Sequence, residues 1–541
     1  MIQQPVSRRA LLRGAGLLGM GIGAGMTGLL SACGVAADEA DGDSAKTGGT
    51  LTLAIDGTSA VNDPAFYTTL GDWMAVDCIC RGLTFISFES NEPEPDLAES
   101  WTISDDQLTY TFKLRQGVTF HDGTQFTSAD VLASLNRQFD DTDKTLPEGS
   151  SRPLRSVGTN LASMTAPDAQ TVVMVLKAPD RTLLDQLSDI GGRIISKAAL
   201  DKYGADIGKN LVGTGPFKFA SATSGQSVVL AAFDGFRLGK PPIDRLVLQQ
   251  VTDPSTIVGS LLSGDISATQ FTPYSALDQL KADKSVTVYD TPTTFDAFMM
   301  MDARRIPELA VRKAINLAID RQAIIAQAFF GAGTLPQSYT IPPGLTGHDT
   351  SLADLSTTNV EEAKRLIQQA GATGREIRLM AASDSWHPKA AQIVAQNLTD
   401  IGLKVVTASV DPAAYFNRLL DPKDEFHDLM IWERNIYVPD PDDMIGSLAM
   451  PSGVYGDFIS GFNTLDGSAK FADDLFTAKN LPDASARAAA YSGIQRRWAE
   501  NYMLLTMLAY AANPVVSGAS VKGMNVQALG NHRCYMEKAS V

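Results

Sequence analysis

The stretch from Leu97 to Arg137 constrains the fold more than any other part of the chain, because one continuous pattern runs through strand, turn and helix. Leu108, Tyr110, Phe112 and Leu114 alternate with Thr109, Thr111 and Lys113, which gives a strand one apolar and one polar face. Arg115 to Gly117 turns the chain. Val118 to Phe120 reads as a second short strand, and His121-Asp122-Gly123 turns the chain again. Thr127 is a good N-cap, with Asp130 three residues later. Val131, Leu132, Leu135 and Phe139 then fall along one side of a helix. No residue of the stretch has catalytic character, and it reads as scaffold.

The chain has 541 residues, enough for about two to four domains. Its formal net charge of −16 argues against nucleic acid as a partner, since phosphate contacts need clustered Lys and Arg. Net charge says little about a small ligand, which meets local charge only.

The N-terminus reads as an export segment over residues 1–32. Ser7-Arg8-Arg9-Ala10-Leu11-Leu12-Arg13 matches a twin-arginine signal, and the glycine-rich apolar run Gly14 to Leu30 suits an h-region. Leu30-Ser31-Ala32-Cys33 resembles a lipobox, in which Cys33 would be lipidated; a plain signal peptide with a chance cysteine is the other reading. Residues 33–47 are small, polar and acidic, as in a flexible linker. No later stretch approaches the ~20 apolar residues of a membrane span. The expected location is therefore periplasmic or cell-surface, with the membrane reached only through a lipid at Cys33. Export permits a disulfide from Cys78 or Cys80 to Cys534, though nothing local supports one. No Cys or His pair stands at zinc-ligand spacing, and neither a metal nor a cofactor is expected.

Strands are expected at 49–55, 171–176, 245–251 and 293–301, and a tight turn at Gly213-Thr214-Gly215-Pro216-Phe217. Asp63-Pro64 begins a loop and helix running to Cys80, and Asp253-Pro254 caps a helix to Leu262. Beyond Pro307 strand and helix alternate: helices 309–319, 320–330, 360–370, 388–401 and 412–420, strands 376–381, 404–410 and 428–432. That alternation marks an α/β layer arrangement. Met503 to Ala511 reads as a buried strand or helix.

The Leu97–Arg137 stretch resembles the peptide- and nickel-type extracellular solute-binding proteins of ABC importers, family 5. Ser100-Trp101, Leu108 to Val118, Phe120-His121-Asp122-Gly123 and Phe126-Thr127 carry the likeness. It continues in Gly213 to Phe217, Ser263-Gly264-Asp265-Ile266, Val311 to Asn316 with Asp320-Arg321, and Glu362 to Gly371, in the family's order. The resemblance implies an α/β, two-lobed periplasmic-binding-protein type II fold with an extra domain (cluster C). Lobe I would take 48–82, 212–295 and 505–541, the extra domain 83–211, and lobe II 296–504. Crossing strands would lie near Phe295–Met301 and Met503–Tyr510. The implied mechanism is hinge closure around a small-molecule or short-peptide ligand by a monomer, then delivery to ABC permease subunits with their ATPase. The alternative is an exported receptor or chaperone for a non-peptide ligand, not coupled to import.

A ligand cleft needs aromatic walls and a few polar anchors. Asp384, Trp386 and His387 sit in a strand-to-helix loop, where α/β proteins often bind ligands. Trp432, Arg434, Asn435, Tyr437 and Asp440 follow a strand; Tyr455, Phe458, Phe462 and Asn463 form a glycine-rich aromatic run; Phe295 and Phe298 lie on a crossing strand. The family's peptide binders commonly hold the ligand's amino group with an Asp after this Trp, and its carboxylate with an Arg in the earlier loop. Here Asn435 or Tyr437 falls at the first position, with Glu433 and Asp440 nearby. The loop between Ala382 and Pro388 offers Asp384 and no arginine, while Arg434 could supply a cation. A cationic, modified or non-peptide solute therefore stands beside the dipeptide. No GxSxG, HExxH or S-x-x-K constellation stands in a fitting context, and an enzyme is not expected.

Overall fold

Strand Thr109–Leu114 buries Tyr110, Phe112 and Leu114 and turns Lys113 to solvent, as its alternation requires. A computed structural model describes residues 48–67, 69–87, 90–289, 295–419, 427–434, 440–450, 454–512, 514–526 and 534–541. The export segment, the linker and Cys33 lie outside the described residues, as does the side chain of Cys534; Cys80 is a buried free thiol. Strand Thr109–Leu114 pairs antiparallel with Ala98–Ile103 and Thr171–Leu176, and Leu161–Asp168 completes a four-stranded sheet. Helix Ser128–Phe139 packs Val131 and Leu135 into the same core as Phe112, Val172 and Met174. The Asp130 carboxylate accepts the Thr127 N–H at 2.8 Å and fixes the helix start. Val118–Phe120 does not form the expected strand. Gly117 and Gly123, at φ 71° and 86°, close it into a tight loop with one isolated bridge, Thr119 to Gln125.

Strand Thr50–Ile55 lies inside a seven-stranded sheet of order 286–289, 515–518, 268–269, 50–55, 245–250, 227–232, 217–223. It runs parallel to Arg245–Gln250, with Leu51 opposite Leu246 and Leu53 opposite Leu248 in one core. Helix Leu70–Ile79 packs into that core; it starts only at Thr69, because Asp63–Phe66 is a turn. The glycine turn after Val212 is explained by this helix. A Cβ at Gly213 would lie 2.2 Å from the Ile79 carbonyl oxygen, and one at Gly215 would lie 2.5 Å from that of Cys78. His121 joins the same place. Its N–H donates to the Gly213 oxygen at 3.0 Å and its Nε2 to the Gly215 oxygen at 2.9 Å. Two motifs far apart in the chain are thus the halves of one joint.

Buried ion pairs fasten the four-stranded domain to the seven-stranded lobe. Arg137 grips Asp63 through two hydrogen bonds of 3.0 and 2.8 Å, both side chains shut off from solvent. Arg193 pairs with Asp77. Asp96 accepts from Arg81 at 2.6 Å and from Arg237 at 2.5 Å. Burial opposes charge on Asp96, but the two guanidinium groups hold its carboxyl below the usual range.

The third sheet has six strands in the order 333–334, 505–511, 295–301, 429–434, 376–382, 404–410. Strand Glu376–Ala382, helix His387–Asp400 and strand Lys404–Val410 form a parallel βαβ unit. Strand Phe295–Met301 is buried along its whole length: Ala297, Met299 and Met301 face one core, Phe298 and Met300 the other. Met503–Ala511, open between strand and helix, resolves as strand Leu505–Ala511, antiparallel to Phe295–Met301. Residues 505–511, expected in the first lobe, form their ladder in the six-stranded sheet. Helices Ser468–Lys479 and Ala484–Asn501 went unread in the sequence. The chain leaves the seven-stranded sheet at Tyr289 and returns to it at Val515, and those two strands pair with each other. On the far side Phe295 pairs with Ala511, so both passages between the two sheets begin and end beside each other.

Arg137→Met would leave the Asp63 carboxylate buried without its counter-ion. We expect a loss of about 3–5 kcal/mol, read as a lower urea midpoint, with a smaller loss in Arg137→Met/Asp63→Asn. His121 gives a pH signature. Burial, aided by Lys218, depresses its pKa to about 4, against the pull of the Gly215 carbonyl and Asp122. Below the ordinary value of 6.5 the unfolded chain takes up a proton that the folded one refuses, so stability falls as pH drops toward about 4. Thermal melts of His121→Asn should lack that part of the decline.

Candidate binding site

Strands Glu376–Ala382 and Leu429–Arg434 run parallel, with Met380 opposite Met430, so both deliver their carboxyl ends to one edge of the sheet. Ser385, in the left-handed region at φ 53°, bends the chain from the first strand into helix His387–Asp400. Strand Leu429–Arg434 lies against the crossing strand, with Phe298 opposite Trp432, Ala297 opposite Glu433 and Asp296 opposite Arg434. The sequence candidates on these three segments therefore meet beside the crossings.

Five rings form a ladder. Centroids are 4.8 Å apart for Phe329 and Trp386, 4.2 Å for Trp386 and His387, 5.5 Å for His387 and Trp432, and 4.5 Å for Trp432 and Tyr415. Phe295 meets Trp386 edge-on at 6.5 Å, and Tyr455 meets Phe298 at 6.2 Å. Trp386, Tyr415 and Phe298 are buried, Trp432 and Tyr455 half-buried. Tyr274 reaches in from the seven-stranded lobe. Its ring stands edge-on to Phe329 at 5.2 Å, and its hydroxyl donates to the Ala512 carbonyl at 2.9 Å. Phe329, Tyr415 and Tyr274 were missed in the sequence. Only tertiary contact marks them out; a local cue existed for none.

Charge at the site is acidic. His387 Nε2 stands 2.5 Å from Glu433 Oε2, and its Nδ1 3.6 Å from Asp384 Oδ1. Burial disfavours the imidazolium, yet Glu433 and Asp384 carry the His387 pKa above its ordinary value. Burial, with Glu433 and Asp411 against the help of His387, raises the pKa of Asp384. Burial and the Glu433 carboxylate together push the Tyr274 phenol upward. Asp384 is more than half exposed and Glu433 about a quarter (57% and 24%), so both reach solvent.

Several expected contributors are engaged elsewhere. Arg434 is buried: its guanidinium donates to Asp296 at 3.0 Å, to the Met444 carbonyl at 2.5 Å and to Ser447 at 2.8 Å. It braces the strand end and is not the cation suggested for the cleft. Arg378, on the strand leading into the Asp384 loop, is bound to Asp428 at 3.0 Å. Asp440 is buried against Arg487 at 2.5 Å. Phe462 is buried against Trp498 at 4.7 Å, Tyr502 at 4.8 Å and Phe471 at 5.7 Å, inside the hydrophobic core of the second lobe. Asn463 is exposed on the short helical turn beside it. Asn435 and Tyr437, and the side chain of Phe458, lie outside the described residues. Among the described residues no group of three His, Cys, Asp or Glu is placed to hold a metal ion. A groove of about 440 Å³ lies between helix His387–Asp400 and strand Lys404–Val410, but it is lined by Ala391, Gln392, Ala395, Gln396, Thr407 and Ser409 among others, with neither ring nor charge. The half-buried aromatic wall with two acids is the better candidate for recognition.

Comparison with known proteins bears on the family and the fold. The family described as bacterial extracellular solute-binding proteins, family 5 Middle, matches residues 92–456. The glutathione-binding protein GsiB of Escherichia coli O1:K1 / APEC is 32% identical over 320 residues, 58% of this chain and 60% of that protein. The chain thus spans 60% of the length of that relative. GsiB of Salmonella paratyphi A is 30% identical over 405 residues, 74% of this chain and 72% of that one. The periplasmic binding protein DppA of Helicobacter pylori, solved with the peptide STSA, superposes with TM-score 0.79 at 26% identity, covering 92% of this chain and 98% of that one. These neighbours are two-lobed binding proteins, and the mixed α/β sheets described above follow the same fold.

Asp296 supplies a test of the site's electrostatics. Burial drives its pKa up to about 7, with Asp443 adding to the rise and Arg434 opposing it. A carboxyl raised in the folded state stabilises below its unfolded value of 3.8, and that contribution is lost as pH rises toward about 7. Asp296→Asn should remove this segment from a plot of melting temperature against pH.

Proposed function

The chain belongs to the bacterial extracellular solute-binding proteins of family 5, and from that premise we propose that it is the substrate-binding component of an ABC importer. It captures a short peptide or peptide-like solute bearing a cationic group, closes on it, and delivers it to a membrane permease. The observation that carries this reading is the acidic aromatic wall at the paired crossings: Trp432, Glu433 and Asp384 reach solvent there, and Tyr274 approaches from the opposite lobe. Family members solved as complexes hold solutes of this size: DppA with the peptide STSA, and AgaA of Agrobacterium tumefaciens R10 with agropinic acid. The exposed acids favour a solute that presents a cation, such as a free amino terminus.

Closure would be a rotation about the segments joining Tyr289 to Phe295 and Ala511 to Val515. In the proposed division, lobe I takes 48–82, 212–289 and 515–541, the extra domain 83–211, and lobe II 295–511. The extra domain would travel with lobe I, held by its buried ion pairs. Its contacts with the second lobe are lighter: Lys479 reaches Asp180 at 2.9 Å, and Asn480 accepts from the Arg181 N–H at 3.3 Å. We assign the twin-arginine segment to export and Cys33 to lipid attachment. No helix among the described residues is long and apolar enough to cross a membrane. The role in this reading is binding: His387 lies against the carboxylate of Glu433 and between two indoles, where it orders the aromatic wall.

Mass spectrometry of solute released from the purified protein identifies the ligand, and calorimetry with free tripeptides tests the class. Trp432→Ala should weaken binding about 10- to 100-fold, the range of a buried aromatic anchor. An unchanged melting temperature would assign the loss to contact rather than to folding, and unchanged affinity would move the site elsewhere.

A further inference from the structure

His387 is the one member of the ring ladder that can carry charge at neutral pH. It is sandwiched between the indoles of Trp386 and Trp432, nearly shut off from solvent, with its Nε2 against Glu433. Glu433 is about a quarter exposed: one oxygen faces the imidazole while the side chain still reaches solvent. The groups around the pair are Asp384 from the loop after strand Glu376–Ala382, Asp411 from the end of strand Lys404–Val410, Tyr415 from helix Pro412–Leu419, Tyr455, and Tyr274 from the other lobe. None of these is a cation. The two arginines nearest in sequence, Arg378 and Arg434, are bound to Asp428 and Asp296. Among the described residues, an imidazolium at His387 is thus the counter-ion that stands inside this acidic site.

We propose that His387 is a removable counter-ion: a solute ammonium group that pairs with Glu433 takes the place of the imidazolium, and His387 releases its proton. This rests on the binding reading above and deepens it to a specificity element coupled to pH. The balance is simple. The Glu433 carboxylate exchanges one cationic partner for another, the N–H bond at His387 Nε2 breaks, and the proton leaves to solvent. A neutral imidazole left between two indoles completes the aromatic wall at less desolvation cost than an imidazolium. Affinity for a cationic solute should therefore rise with pH, by up to about tenfold per unit while His387 is still protonated in the free protein, and then level off. A solute led by a carboxylate would behave oppositely, taking up a proton as it binds.

The test has two arms. In the free protein, an imidazolium quenches a stacked indole more than a neutral imidazole does, so tryptophan fluorescence should show a step as His387 titrates, above the ordinary imidazole range. Glu433→Gln should move that step to lower pH, and His387→Gln should remove it. In the second arm, Ala-Ala-Ala is titrated calorimetrically at pH 7 in buffers of different ionisation enthalpy, beside its N-acetylated form. Net release of a proton by the wild type, none by His387→Gln, and weaker binding of the acetylated peptide are expected. Should His387→Gln fold poorly, Glu433→Gln carries the same comparison. Absence of the fluorescence step, proton uptake on binding, or binding without proton exchange would each overturn the proposal while leaving the peptide-binding reading standing. No binding of either peptide would sink both.

Discussion

The architecture depends on a small set of buried Arg–Asp pairs. Arg137 with Asp63, Arg193 with Asp77, and Asp96 with Arg81 and Arg237 cross from the four-stranded domain or its borders into the seven-stranded lobe. Each charge has been taken out of water, so each is tolerable only with its partner in place. The price of separating them is what makes the two pieces one body. Apolar packing alone would hold them together with less regard for register; a bidentate pair such as Arg137–Asp63 tolerates little sliding. By contrast, the surfaces that meet across the cleft hold few ionic contacts, and those lie nearer to solvent.

The same chemistry serves a different end in the second lobe. Arg434 and Asp296 face each other across two antiparallel strands at the point where the chain enters the lobe. Their pairing fixes the ends of both strands and so the positions of Glu433 and Trp432, one and two residues away. The aromatic ladder then continues sideways through His387 and Trp386 to Phe329. Rigidity at the base and an open acidic rim are what a receptor needs if selectivity is to come from few groups.

Much of this was legible in the sequence. Alternation at Leu108–Leu114 and the cap at Thr127 specified a strand and a helix because both depend on neighbours in the chain. Trp386 and Trp432 were singled out because the end of a strand in an α/β alternation announces itself in the sequence. What escaped was tertiary. Arg434 looked available because the sequence does not reveal that Asp296 lies opposite. Phe462 looked like a cleft residue because Gly461 and Asn463 give it a loop-like setting, yet Trp498 and Tyr502 enclose it. Tyr274 and Phe329 meet from different lobes. The Val118–Phe120 strand failed for a local reason: glycines on both sides favour a closed loop over a ladder.

The paired crossings carry a mechanical consequence. Tyr289 is held beside Val515 and Phe295 beside Ala511, and joints that start from paired strands at both ends would resist shear and twist more than bending. Such a coupling behaves like a flat spring with one compliant direction. Solutes of different length would then alter the angle at which the halves come to rest, while the path between open and closed stays the same for all of them. A transporter docking on both halves would meet a single family of shapes that differ by one coordinate.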